Sequence, residues 1–122
     1  MEFTGNKAIY LQIAEILMDE ILGGTLAEGE RMPSVRDYAG RVEVNVNTVV
    51  RSFDWLAQRE IIFQRRGLGF FVGEGAAERI LSVRKAEFFD HELPRMFQTM
   101  QTLGITMDEV RARYEKNSST IE

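Results

Sequence analysis

Val44–Gln58 restricts the fold more than any other stretch of the chain. At about 100° per residue, Val49, Phe53, Leu56 and Ala57 fall on one side of a helix, and Asn47, Thr48, Arg51, Asp54 and Gln58 fall on the other. Such a helix has to bury its first face in a small core and leave its second face outside. The outer face carries a guanidinium, amides and a hydroxyl near the helix start. Groups of this kind reach base edges and phosphates from a helix lying in a major groove. A merely solvated face looks the same in isolation, so the flanking segments have to decide.

Met1–Asn6 reads as a loose or strand-like lead-in. Lys7–Leu22 is predicted as a first helix, with an apolar stripe of Ile9, Ile13, Ile16, Leu17 and Ile21 and a stop at Gly23-Gly24. Thr25–Arg31 is predicted as a linker with a turn at Gly29. Met32-Pro33-Ser34 opens a second helix, with Ser34 as N-cap and Asp37 in the place of the capping-box acid. Val35, Tyr38, Ala39 and Val42 give this short helix one buried face. Arg36 lies off that face, as a DNA contact or as a surface ion pair of little energetic weight. Val42–Val46 is the turn into the third helix, with Asn45 as its N-cap. A short helix, a short turn and a longer helix with a polar start make a helix-turn-helix pattern.

The period then changes. Ile61-Ile62-Phe63 and Phe70-Phe71-Val72 are β-rich and flank Arg65-Arg66-Gly67-Leu68-Gly69. That pattern predicts a hairpin with arginines and glycines near its tip, a wing following the helix pair. Glycines let such a tip approach a sugar-phosphate edge closely, and arginines can enter a minor groove.

Charge agrees once its distribution is considered. The chain has a net charge of −4, yet residues 31–66 hold seven basic groups, all arginine, against four acidic ones. A local basic patch on an acidic protein still supports a salt-dependent DNA contact.

Residues 8–72 resemble the N-terminal winged helix-turn-helix domain of the GntR family of bacterial transcription regulators. The matching stretches are Ile9-Tyr10-Leu11-Gln12-Ile13, Ile21 to Leu26, Met32-Pro33-Ser34-Val35-Arg36-Asp37, Val44-Asn45-Val46-Asn47-Thr48-Val49-Val50-Arg51-Ser52-Phe53 and Arg66-Gly67-Leu68-Gly69-Phe70-Phe71-Val72. The resemblance implies that Arg36, Asn47, Thr48, Arg51 and the wing glycines sit at DNA-contacting positions. The chain departs from the family pattern at four points. Glu28-Gly29 replaces the usual Pro-Gly. Val46 stands where many members carry arginine and YtrA-like members tend to carry proline. Phe70 replaces a wing threonine, and Glu60 stands where glycine is usual.

Gly73–Gly75 is the expected domain boundary. Ala76–Leu103 is predicted as mostly helical, with a kink or a restart near Pro94, whose ring does not fit a normal turn. Gly104 reads as a stop, and Thr106 with Glu109 as a second capping box. A final helix is then expected to about Lys116, with Met107, Val110 and Tyr114 inward. One helix pair cannot bury Phe88, Phe89, Leu93, Met96, Phe97, Met100 and Leu103, so these are predicted to form a homodimer interface. A hairpin docked within one chain is the alternative. The resemblance implies the same dimer, because YtrA-like members carry a short two-helix C-terminal segment.

The expected organisation is therefore mainly α with a small β-hairpin. A winged helix-turn-helix domain spans 1–73, a helical dimerisation segment 74–116 and a flexible tail 117–122. The DNA-binding set is Arg36, Asn45, Asn47, Thr48, Val50, Arg51, Arg65, Arg66, Gly67 and Gly69, with Val50 placed to touch a thymine methyl. The expected function is a sequence-specific transcription regulator, more often a repressor, bound as a homodimer to an inverted-repeat operator on double-stranded DNA. A winged-helix protein-interaction module is the alternative, supported by Trp55 and Val50 near the outward side. No cofactor and no metal are expected. With His91 the only histidine and no cysteine, no Ser-His-Asp set and no multi-histidine or thiolate metal site is expected; Glu87 with His91 could hold a metal only weakly or across a dimer, and an enzyme is not expected. No apolar run is long enough to span a bilayer and no signal peptide pattern is present, which fits a cytoplasmic protein. A small-molecule effector stays open, its place a small pocket at the dimer seam or none.

Overall fold

The structure is a computed structural model that describes Phe3, Gly5 and residues 7–121. The lead-in expected over Met1–Asn6 falls mostly outside these residues. Helix α1 (Ile9–Leu22) buries Ile13, Ala14, Leu17, Met18 and Ile21. Its buried stripe is rotated from the expected one. Ile9 is exposed, and Ala14 and Met18 take its share of the core.

Helix α2 (Val35–Val42) starts at Ser34, whose Oγ accepts the Asp37 N–H at 3.0 Å. That bond satisfies one of the N–H groups a helix start leaves unpaired. Glu43 ends the helix in the left-handed conformation, φ 58°, and its N–H bonds Ala39 O. Helix α3 (Val46–Gln58) is capped by Asn45, whose Oδ1 accepts the Asn47 N–H at 2.8 Å. Its buried face is Val49, Ser52, Phe53 and Leu56.

Strands β1 (Ile62–Arg65) and β2 (Gly69–Val72) form an antiparallel hairpin, with Ile62 opposite Val72 and Arg65 opposite Gly69. The expected linker is part of this sheet. Met32 N–H bonds Phe70 O, Val72 N–H bonds Glu30 O, and Arg31 bridges to Phe71. Residues 29–32 thus cover the outer edge of β2 and satisfy backbone groups that an edge strand would leave open. One cluster joins Ile13, Leu17, Tyr38, Val42, Phe53, Leu56, Ile61, Ile62 and Val72.

The first compact unit extends through Val83, past the boundary expected at Gly73–Gly75. The reason is packing. Helix α4 (Ala76–Glu87) places Ala76 and Ile80, neither measurably exposed, in the same core cluster.

The second unit begins at Arg84. A π-helical turn, Phe88–Glu92, leads directly into α5 (Leu93–Leu103). Leu93 N–H bonds Phe88 O, five residues back. The widened turn sits immediately before Pro94, where a normal α turn would clash with the ring. The chain thus meets the proline with a wide turn and no intervening loop. Gly104, at φ 70°, closes α5. Its N–H bonds Gln101 O and the Ile105 N–H bonds Met100 O, the paired contacts of a Schellman motif. Thr106 and Glu109 form both halves of the capping box. Helix α6 (Met107–Ile121) runs on past the end expected at Lys116 into the stretch expected as a tail. Met107 and Tyr114 are exposed, not inward, because α6 buries none of its described side chains within the chain.

Candidate nucleic-acid interface

The outer face of α3 follows from its buried one. Val49, Ser52, Phe53 and Leu56 are buried, so Asn47, Val50, Arg51, Asp54 and Gln58 project to solvent, with Thr48 half-buried at the edge. Ser52 was not in the expected core. Its Oγ donates to Tyr10 O at 2.7 Å and lies 3.1 Å from Thr48 O. A fully buried hydroxyl is tolerated only with such partners. The bond to Tyr10 ties α3 to the start of α1. The helical spacing of Val49, Ser52, Phe53 and Leu56 carried the signal for this residue, hidden by its polar side chain.

Arg51 stands over the Tyr10 ring, its guanidinium carbon 4.0 Å from the ring centroid. Tyr10, Asn47, Thr48 and Arg51, with Ala8 and Ile9, line an open cleft of about 350 Å³. Three members of the expected DNA-binding set therefore share one concave surface with a tyrosine outside that set. Arg36 is exposed in the first turn of α2. Asn45 spends its side-chain oxygen on the helix cap, which leaves its amide N–H₂ as the group with donors to offer.

The hairpin is anchored to α3 through its base. Phe53 and Phe70 meet edge to face at 5.3 Å, and Ile61 N–H bonds Leu56 O. Arg66, Gly67 and Leu68 form the tip, closed by the Leu68 N–H to Arg65 O bond. Gly67 and Gly69 have φ 77° and 97°, a region that glycine enters without a Cβ penalty. Arg65 bounds the tip through its backbone, next to Arg66, but its side chain lies back along the sheet. Its guanidinium lies 4.7 Å from the Phe71 centroid and 5.3 Å from that of Phe63, across a stacked pair on the outer sheet face. The Arg31 guanidinium lies instead alongside Gly69, 3.6 Å from where a Cβ would stand. Nothing local in the sequence marks Arg31 for this place, since the bridge to Phe71 brings it there.

The remaining expectations fall elsewhere. Trp55 is half-buried against the core, and Arg59 lies over its ring at 3.8 Å, so only part of it remains on the surface. Val50 remains 39% exposed. In the second unit, Phe88, Phe89, Met96, Phe97 and Leu103 are exposed and Leu93 is half-buried. Met100 differs: it is only 7% exposed within the single chain. His91 Nε2 lies 3.6 Å from Glu87, and among the described residues no group of three metal-ligating side chains converges. Among them also no helix is long and apolar enough to cross a membrane.

Comparison with known proteins agrees with this geometry. Residues 9–72 match the family model for bacterial regulatory proteins, gntR family. The uncharacterized HTH-type transcriptional regulator YhcF of Bacillus subtilis is 33% identical over 109 residues, 89% of this chain and 88% of that protein. The HTH-type transcriptional repressor YtrA of the same organism is 25% identical over 117 residues, 96% of this chain and 89% of that protein. The solved structure of an assigned GntR-family regulator from Bacteroides thetaiotaomicron superposes with a TM-score of 0.81 at 43% identity, over 94% of this chain and 100% of that one.

Proposed function

Because this chain belongs to the GntR family of bacterial transcription regulators, among YtrA-like relatives, we propose that it is a cytoplasmic repressor that grips an inverted-repeat operator as a homodimer. Family membership makes it a DNA-binding transcriptional regulator. The repressor role, the operator symmetry and the dimer are the proposal. The observation that carries it is the exposed polar start of α3, held beside a glycine-tipped, arginine-bearing hairpin by the Phe53–Phe70 contact.

In this reading α3 enters the major groove. Asn47 and Thr48 reach phosphate or base edges near its start, Arg51 reaches phosphate or guanine, and Val50 meets a thymine methyl. Asn45 contributes its amide donors, and Arg36 anchors α2 on the backbone. Arg66, Gly67 and Gly69 seat the wing. Arg65 joins them only by leaving the Phe63 and Phe71 rings. Exposed Phe88, Phe89, Met96, Phe97 and Leu103 support a second copy as the cover of the C-terminal unit, and a two-fold pair implies two half-sites. The repressor named among the relatives supports the sign of regulation.

The test is selection of bound fragments from a genomic DNA library by the purified protein at one stated salt concentration. The expected result is an enriched motif with two-fold symmetry, bound by a dimer, with affinity falling steeply as salt rises. Arg36→Ala and Arg51→Ala should each weaken binding by about 1–3 kcal/mol. No enriched motif, or an asymmetric one bound by a monomer, would overturn the reading.

A further inference from the structure

Arginine on an exposed helix face samples many rotamers, and an acceptor that captures it has to restrict them. Arg51 is already held. Its guanidinium carbon sits 4.0 Å from the Tyr10 centroid, where the ring's negative face attracts a cation. A guanidinium lying over a ring keeps its in-plane N–H donors for other acceptors. The backbone that bears the ring is held in turn, since the Tyr10 main-chain O accepts the hydroxyl of fully buried Ser52 at 2.7 Å. That bond links the backbone beneath the ring to the helix that carries Arg51. The same cleft is lined by Asn47 and Thr48, so the direction Arg51 takes is toward the surface those residues share.

We propose that Tyr10 is a positioning residue for DNA recognition: its ring sets the direction of Arg51 before the duplex arrives and so contributes to discrimination among sequences. This rests on the reading of Arg51 as a DNA contact. A tyrosine on the first helix thereby belongs to the recognition surface of the third, although its own hydroxyl is not required.

The experiment uses the full chain with the selected operator fragment and a scrambled duplex of equal length at one salt concentration. Tyr10→Phe and Tyr10→Trp keep a ring and should stay within about twofold of wild type, whereas Tyr10→Leu should lose about fivefold to tenfold on the operator and less on the scrambled duplex. In the double variant Tyr10→Leu/Arg51→Ala, the loss should equal that of Arg51→Ala alone, because the ring acts only through the guanidinium. In the unbound wild-type protein, NMR should show the Arg51 side-chain resonances shifted upfield by the ring current. This readout needs no variant to fold as well as wild type.

Additive losses in the double variant, equal losses on both duplexes, a Tyr10→Phe defect as large as that of Tyr10→Leu, or no ring-current shift would each overturn the positioning role. Full operator affinity in Arg51→Ala is a different pattern. It would overturn the contact beneath the proposal, and the proposal with it.

Discussion

Phe70 of the hairpin meets Phe53 of helix α3 edge to face, ring centroids 5.3 Å apart and planes at 88°. The contact joins the wing to the helix that carries the polar face, alongside the Ile61 N–H to Leu56 O bond at the base of the hairpin. Phe70 occupies a position where the family pattern has threonine, so this chain uses bulk there.

Phe70→Ala should therefore act on two measurements at once. Loss of a half-buried ring and its aromatic partner should lower unfolding free energy by about 2–3 kcal/mol in urea titration. DNA affinity should fall more than for Phe70→Leu, which retains volume at the hinge between helix and wing. Equal affinity for both variants would show that the wing angle does not depend on the ring.

Glu60 is in the left-handed conformation, φ 60°, at the position where glycine is usual in the family. A side chain there costs about 1–2 kcal/mol of backbone energy, and glycine returns part of that as greater unfolded-state freedom. The Arg79–Glu60 ion pair, 3.9 Å and largely exposed, offsets little. Glu60→Gly should raise stability by about 0.5–1 kcal/mol, seen as a higher urea midpoint with unchanged slope.

Two glycines should respond to alanine for different reasons. A Cβ on Gly73 would stand 3.1 Å from the carbonyl oxygens of both Glu60 and Ile61, and backbone cannot swing aside. Gly73→Ala should cost about 1–3 kcal/mol of stability. Gly67→Ala meets no atom within 4 Å but sits at φ 77°, so it should cost about 1 kcal/mol, from backbone conformation alone. If Gly67→Ala impairs DNA binding by more than its stability loss, the tip approaches the duplex closely.

Tyr38 gives the fold an alkaline limit. Burial pushes its hydroxyl pKa above 10.0, the Glu20 carboxylate adds to the rise, and Arg41 opposes it. The folded value exceeds the unfolded one, so the stabilisation is fully present below pH 10 and is lost as pH climbs through the folded value. Urea midpoints of wild type should fall more steeply than those of Tyr38→Phe as pH rises above about 10. Parallel curves would mean that the hydroxyl ionises freely in the folded protein.

Local chemistry was legible in the chain and tertiary contact was not. Ser34 and Asn45 announce their helices because a cap bonds to an N–H two or three residues away. The spacing of Val49, Phe53 and Leu56 decides which side of α3 is dry, and therefore that Asn47 and Arg51 are wet. The glycines at 67 and 69 mark the hairpin because only they enter positive φ without cost. By contrast, Ser52 among apolar neighbours, the placing of residues 29–32 against β2, and the retreat of Arg65 onto Phe63 and Phe71 depended on how the elements met. So did the ring beneath Arg51. Helical period and capping are properties of neighbours along the chain, whereas Tyr10 and Arg51 become neighbours only when α1 and α3 bury their apolar faces in one core.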